Sequence, residues 1–116
     1  MNLMEKKKLK SNKGNYIDGV LLITPNVIED ERGYFYESWN KKKFNEIKQT
    51  TFLQDNHSMS FKGVLRGLHY QLNPYPQGKL VRCTLGRIFD VAVDLRINSN
   101  TYKEWIGIEL NAINKF

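Results

Sequence analysis

Between residues 88 and 95, Phe89, Val91, Val93 and Leu95 alternate with Asp90, Ala92 and Asp94. A period of two sends successive side chains to opposite faces of a strand, so the odd residues are expected to face a core and the even ones a wetter surface. Much of the remaining chain reads as further short β segments separated by turn residues. Residues 20–23 are apolar and stop at Pro25, and the aromatic-rich residues 34–39 begin after Arg32-Gly33. Residues 52–58, 64–71, 79–85 and 105–110 are read as strands, with residues 79–85 and 88–95 forming a hairpin around Gly86. Two prolines make residues 73–78 a loop. Only residues 41–48 predict a helix: Phe44 and Ile47 lie three apart, and Asn40 is placed to cap the first amides. About seven strands with one short helix and no repeated strand–helix unit imply an all-β, antiparallel sandwich or barrel.

A chain of 116 residues suits a single domain, here residues 16–116. No apolar run approaches the roughly 20 residues of a membrane span, so no membrane partner is expected. The lone Cys83 cannot form an intrachain disulfide, and no charged start leads into an apolar leader, which points to a cytoplasmic protein. Of the net charge of +6, residues 1–15 contribute +4 through Lys6, Lys7, Lys8, Lys10 and Lys13 against Glu5. Such a start is expected to be a disordered basic tail; an arm for nucleic acid is the alternative, and no nucleic-acid partner is expected.

Several polar residues interrupt the strand-like segments. Arg66 and His69 share one segment, Gln54, Asn56 and His57 the preceding one, Arg32 and Glu37 flank the aromatic stretch, and Lys79 follows the proline loop. This basic, amide-rich set suits a phosphorylated substrate or a carbonyl that gains negative charge during reaction. The plainer alternative is the solvated face of a half-open sheet. Metal binding is not expected, because the two histidines are twelve residues apart with no His-x-His pair and a single cysteine. Cys83 alternates with Val81 and Leu85 and is expected to point into the core.

Five blocks carry a resemblance. Glu31-Arg32-Gly33-Tyr34-Phe35-Tyr36-Glu37, Gln54-Asp55-Asn56-His57-Ser58, Gly63-Val64-Leu65-Arg66-Gly67-Leu68-His69-Tyr70-Gln71, Gln77-Gly78-Lys79-Leu80-Val81-Arg82 and Phe89-Asp90-Val91-Ala92-Val93-Asp94-Leu95-Arg96 occur in this order. In order and spacing they closely resemble the dTDP-4-dehydrorhamnose 3,5-epimerase family. The resemblance implies a cupin-type jelly roll, a homodimer, no metal or organic cofactor, and action on dTDP-4-dehydro-6-deoxy-D-glucose to give the L-configured keto sugar. It makes His69 the general base beside the keto group and Lys79 the group that stabilises the enolate oxygen. Arg66 is implied to contact phosphate or the reacting sugar, and Arg32, Phe35, Glu37, Gln54 and Asn56 to contact substrate, some from a partner subunit. Those roles are chemically sound: imidazole, with an ordinary pKa of about 6.5, accepts a proton near neutrality, and an ammonium group lowers the cost of an enolate.

Members of that family continue beyond the position of Phe116, through a tyrosine that supplies the proton on the opposite ring face and an aspartate that pairs with the base histidine. The sequence is therefore expected to be a C-terminally truncated jelly roll with impaired turnover. A related mono-epimerase or ketoisomerase, or a non-catalytic sugar-nucleotide binding module, are the alternatives. Arg66 and His69 are three apart, so strict alternation would place them on opposite faces; a bulge at Gly67 is expected to re-aim one of them.

Overall fold

The computed structural model describes residues 4–116. Strand β1 (Glu5–Lys10) pairs antiparallel with β2 (Tyr16–Thr24), in register from Glu5 opposite Thr24 to Lys8 opposite Leu21. The register then shifts before Lys10 opposite Tyr16, a bulge that contains Gly19 at a φ of 91°, where a side chain would be strained. Pro25 lacks an amide donor, and β2 ends at the residue before it. The expected disordered tail is thus corrected: residues 5–10 form a strand because the apolar run of β2 offers their backbone a ladder, while the lysine side chains stay in solvent.

Strands β3 (Ile28–Asp30) and β4 (Gly33–Phe35) close on a two-residue turn at Glu31 and Arg32, with Gly33 at a φ of 131°. Pairing stops at Phe35 because its partner strand begins at Ile28, so the strand expected over residues 34–39 is cut short. Helix α1 (Lys41–Ile47) lies where predicted: Asn40 is extended, its Oδ1 accepts from the Lys43 amide at 3.2 Å, and Phe44 is buried.

Residues 48–86 form neither helix nor strand. The strands expected at residues 52–58, 64–71 and 79–85 are therefore absent, since a β-prone segment becomes a strand only where an edge accepts it. The bulge expected at Gly67 has no ladder to interrupt. Strand β5 (Arg87–Val93) pairs instead with β6 (Trp105–Asn111), from Arg87 opposite Asn111 to Val93 opposite Trp105, and Gly86 O accepts from Ala112 N at 3.1 Å. Gly86 thus closes the far end of this pair rather than turning a hairpin.

The expected inner and outer faces of β5 are exchanged. Asp94 is 5% exposed and Phe89 67% exposed, with the Phe89 ring lying against Gly107. The even face wins because its polar end is satisfied. The Asp94 carboxylate accepts from Arg96 Nε at 2.9 Å, Ser99 Oγ at 2.6 Å and Thr101 Oγ1 at 2.6 Å, and on the same face Ala92 and Ile88 stand opposite the buried Ile106 and Leu110 of β6. These donors, Arg96 foremost, hold the Asp94 carboxyl far below the ordinary carboxylate range.

A second buried carboxylate joins the first and last hairpins. Glu104 accepts from Ser11 Oγ and from Asn15 Nδ2 at 2.9 Å, while Asn12 and Trp105 exchange two further bonds: Asn12 N donates to Trp105 O at 2.9 Å and Trp105 N to Asn12 Oδ1 at 3.0 Å. Ile17, Ile106 and Leu110 are buried, and Phe44 is buried under α1. Elsewhere the apolar cover is thin. The chain exposes 10129 Å², against roughly 6,500 Å² for a compact monomer of its size. No helix among the described residues is long and apolar enough to cross a membrane.

Candidate active site

The residues proposed from sequence are distributed along the hairpins and the long irregular stretch. At the β3–β4 turn the Arg32 guanidinium is held by Asp30, with Nη2 2.6 Å from Oδ2 and the Arg32 amide 2.8 Å from Oδ1. The pair raises the Arg32 pKa and lowers that of Asp30, so both are charged at any physiological pH. Phe35 ends β4 and is exposed. Glu37 follows it, between the hairpin and α1. Its Oε1 is 2.7 Å from Lys43 Nζ, and its Oε2 accepts from Asn40 Nδ2 at 3.2 Å.

Within the irregular stretch Gln54 Nε2 donates to Asn56 Oδ1 at 3.0 Å, so this expected pair is brought together without a strand. Arg66 Nε donates to Ser60 Oγ at 2.8 Å and Nη2 to Met59 O at 3.4 Å, which ties the guanidinium to its own loop. His69 and Lys79 are both exposed, and neither side chain hydrogen-bonds or pairs with another among the described residues. Arg66, His69 and Lys79 are therefore presented at the surface without being joined by direct bonds.

Two open cavities flank these segments. One of about 260 Å³ is lined by Tyr34, Phe35, Tyr36, Arg82, Cys83 and Lys115. Tyr34 and Tyr36 stack at 6.1 Å, Lys115 Nζ lies 4.4 Å from the Tyr34 ring centre, and Arg82 Nη1 donates to Tyr36 Oη at 3.3 Å. Of the predicted residues only Phe35 lines it. Arg82 and Lys115 were not singled out from sequence; the two tyrosines alternating with Phe35 were the available signal. Cys83, expected in the core, is half-buried here, with Sγ 3.2 Å from Leu85 O. The other cavity, about 590 Å³, lies among Asp18, Lys48, Tyr70, Gln71, Asn73 and Arg96, beside His69 in sequence.

The arrangement presents cations, amides and one imidazole on exposed chain, and four of the acids, Asp30, Glu37, Asp94 and Glu104, are engaged by neighbouring donors. Such a surface can receive an anionic, hydroxylated ligand. Among the described residues no group of three or more His, Cys, Asp or Glu is placed to hold a metal ion.

Comparison with known proteins gives these segments a context. The family model described as dTDP-4-dehydrorhamnose 3,5-epimerase matches residues 15–116. The dTDP-4-dehydrorhamnose 3,5-epimerase of Shigella flexneri is 58% identical over 101 residues, which is 85% of this chain and 56% of that protein. The chain thus spans about half the length of the curated relatives it matches. The crystal structure of the enzyme of that name from Elizabethkingia anophelis superposes with a TM-score of 0.84 at 48% identity, covering 97% of this chain and 60% of that one. A dTDP-6-deoxy-D-glucose-3,5-epimerase from Legionella pneumophila, solved in complex with dTDP-4-keto-L-rhamnose, gives a TM-score of 0.82 at 45% identity, covering 96% of this chain and 57% of that one. The fold expected from sequence, a cupin-type antiparallel jelly roll, is the architecture of these structures, and this chain carries one short helix, α1, as expected. With the family model matching nearly all of the sequence beyond its lysine-rich start, the chain belongs to the dTDP-4-dehydrorhamnose 3,5-epimerase family.

Proposed function

We propose that the chain acts in the cytoplasm as a homodimeric 3,5-epimerase of dTDP-4-dehydro-6-deoxy-D-glucose. His69 removes the protons on the carbons flanking the keto group, and Lys79 stabilises the enolate oxygen by its positive charge. Arg66 contacts phosphate or sugar, and Arg32, Phe35, Glu37, Gln54 and Asn56 contact the nucleotide-sugar substrate, several of them at its thymidine diphosphate. The observation that carries this reading is family membership across residues 15–116 at 58% identity to a 3,5-epimerase, with the His69 and Lys79 blocks inside the matched span. The exposure of both side chains supports it, since a base must reach its substrate.

Inversion needs proton removal on one face of the sugar and delivery on the other, so exchange and inversion are separable. Incubation of the 116-residue chain with dTDP-4-keto-6-deoxyglucose in D2O tests the roles. Expected is deuterium at the carbons flanking the ketone, with inverted product well behind exchange. His69→Ala is expected to slow exchange by about 100-fold or more. Lys79→Met is expected to slow it by about the same factor. Exchange at native rate in the His69→Ala protein would overturn the assignment, and exchange at one carbon only would make the chain a mono-epimerase.

A further inference from the structure

Glu37 sits at the entrance to α1, and the first turn of that helix supplies both groups that hold its carboxylate. The spacing is regular: Glu37, Asn40 and Lys43 are successive third residues. Asn40 acts twice, because its Oδ1 caps the helix by accepting from Lys43 N at 3.2 Å while its Nδ2 donates to Glu37 Oε2 at 3.2 Å. Lys43 also acts twice, giving its amide to the cap and placing Nζ 2.7 Å from Glu37 Oε1.

The two carboxylate oxygens are not equivalent. Oε1 is buried and makes no well-aligned hydrogen bond, so the Lys43 charge is what compensates it. An external donor can meet this carboxylate only at Oε2. The residue as a whole is not hidden, since the Glu37 side chain is 40% exposed and that of Lys43 43%. A glutamate needed only for solubility would keep both oxygens in water.

We propose that Asn40 and Lys43 are positioning residues that fix Glu37 as a one-oxygen acceptor for a single hydroxyl or N–H group of a nucleoside diphosphate. The proposal rests on the reading above in which Glu37 contacts the nucleotide. One free oxygen suits one neutral donor and disfavours a forked guanidinium, which seeks both oxygens of a carboxylate. Holding the side chain before binding also removes rotamer entropy that the ligand would otherwise have to overcome. Lys43, with a smaller part from Asn40, lowers the Glu37 pKa and keeps the acceptor ionised on mild acidification.

The test is calorimetric titration of dTDP into the 116-residue chain and four variants between pH 5 and 8. Glu37→Gln is expected to weaken binding about tenfold. Lys43→Met should weaken it about fivefold, with Lys43→Arg restoring most of the loss. Asn40→Ser keeps a capping hydroxyl but removes the amide donor, and should weaken binding about threefold without unwinding α1. In Lys43→Met the loss of affinity on acidification should also begin at higher pH than in the native chain, which a role confined to stability would not produce. Native affinity and an unshifted pH profile in Lys43→Met and Asn40→Ser, with Glu37→Gln weakened, would overturn this proposal and leave the Glu37 contact standing. Native affinity in Glu37→Gln, or no dTDP binding by the native chain, would overturn the contact itself and the proposal with it.

Discussion

Ser11 donates its hydroxyl to Glu104 across 93 positions of sequence, and both side chains are buried. Through this bond, and the Asn12–Trp105 pair beside it, the turn after β1 is fastened to the start of β6. Ser11→Ala should leave the Glu104 carboxylate short of a donor and loosen the whole first hairpin. The expected result is a melting temperature lower by a few degrees and faster amide exchange at Asn12 and Trp105, with the Ile108 amide unaffected. Unchanged exchange at Asn12 would show that the hairpin is held by other contacts.

Asp94 and Glu104 both have folded-state pKa values below their ordinary ones, Asp94 chiefly through Arg96 and Glu104 chiefly through Ser11. A depressed carboxylate stabilises the fold above its unfolded pKa and loses that contribution as pH falls toward the folded one. Stability should therefore be level above about pH 5.5 and decline once the pH drops through the ordinary values of 4.5 and 3.8. Urea midpoints at pH 6, 5, 4 and 3 measure the decline. Asp94→Asn should cost about 2 kcal/mol at pH 6 and flatten the acid limb. A steeper limb in that variant would contradict the assignment.

Ile106 is 3% exposed on the covered face of β6, whereas Leu85 is 89% exposed. Ile106→Ala should therefore destabilise by about 2–4 kcal/mol in urea unfolding. Leu85→Ala should stay within about 0.5 kcal/mol. Equal effects would mean that the covered face had been identified wrongly.

An exposed surface of 10129 Å², with Leu53, Leu65, Phe61 and Tyr75 largely in solvent, leaves much apolar area to be covered by association. Sedimentation of the isolated chain should show mass rising with concentration between about 1 and 100 μM, together with binding of a hydrophobic dye. A strictly monomeric, dye-free chain would contradict this expectation and count against the proposed homodimer.

The parts of the fold legible in the sequence were those set by neighbours along the chain. Asn40 with Phe44 located α1 to within a residue, and the residues from Trp105 to Leu110 announced β6, because caps and alternation are local signals. Residues 52–58, 64–71 and 79–85 carry the same β-prone composition, yet composition says nothing about which edge will receive them. The orientation of β5 was misjudged for a related reason. Asp94 reads as a solvent-facing charge until Arg96, Ser99 and Thr101 are seen to fold back onto it, and that closure is a property of the loop rather than of the alternation. At the candidate site, motif order named Glu37 but not its holders. The three-residue spacing from Glu37 to Asn40 to Lys43 was visible, though its meaning depended on the helix capping where it did.

Among the described residues β1 pairs only with β2, so its far edge has no partner strand for its amides and carbonyls, alongside Lys6, Lys7, Lys8 and Lys10. Two such borders meeting head-on would bring eight ammonium groups together, and their mutual repulsion opposes growth of a continuous ribbon from copy to copy. Any self-assembly is thereby steered away from this rim toward other faces of the molecule. High salt, by screening the rim, should relax that steering first.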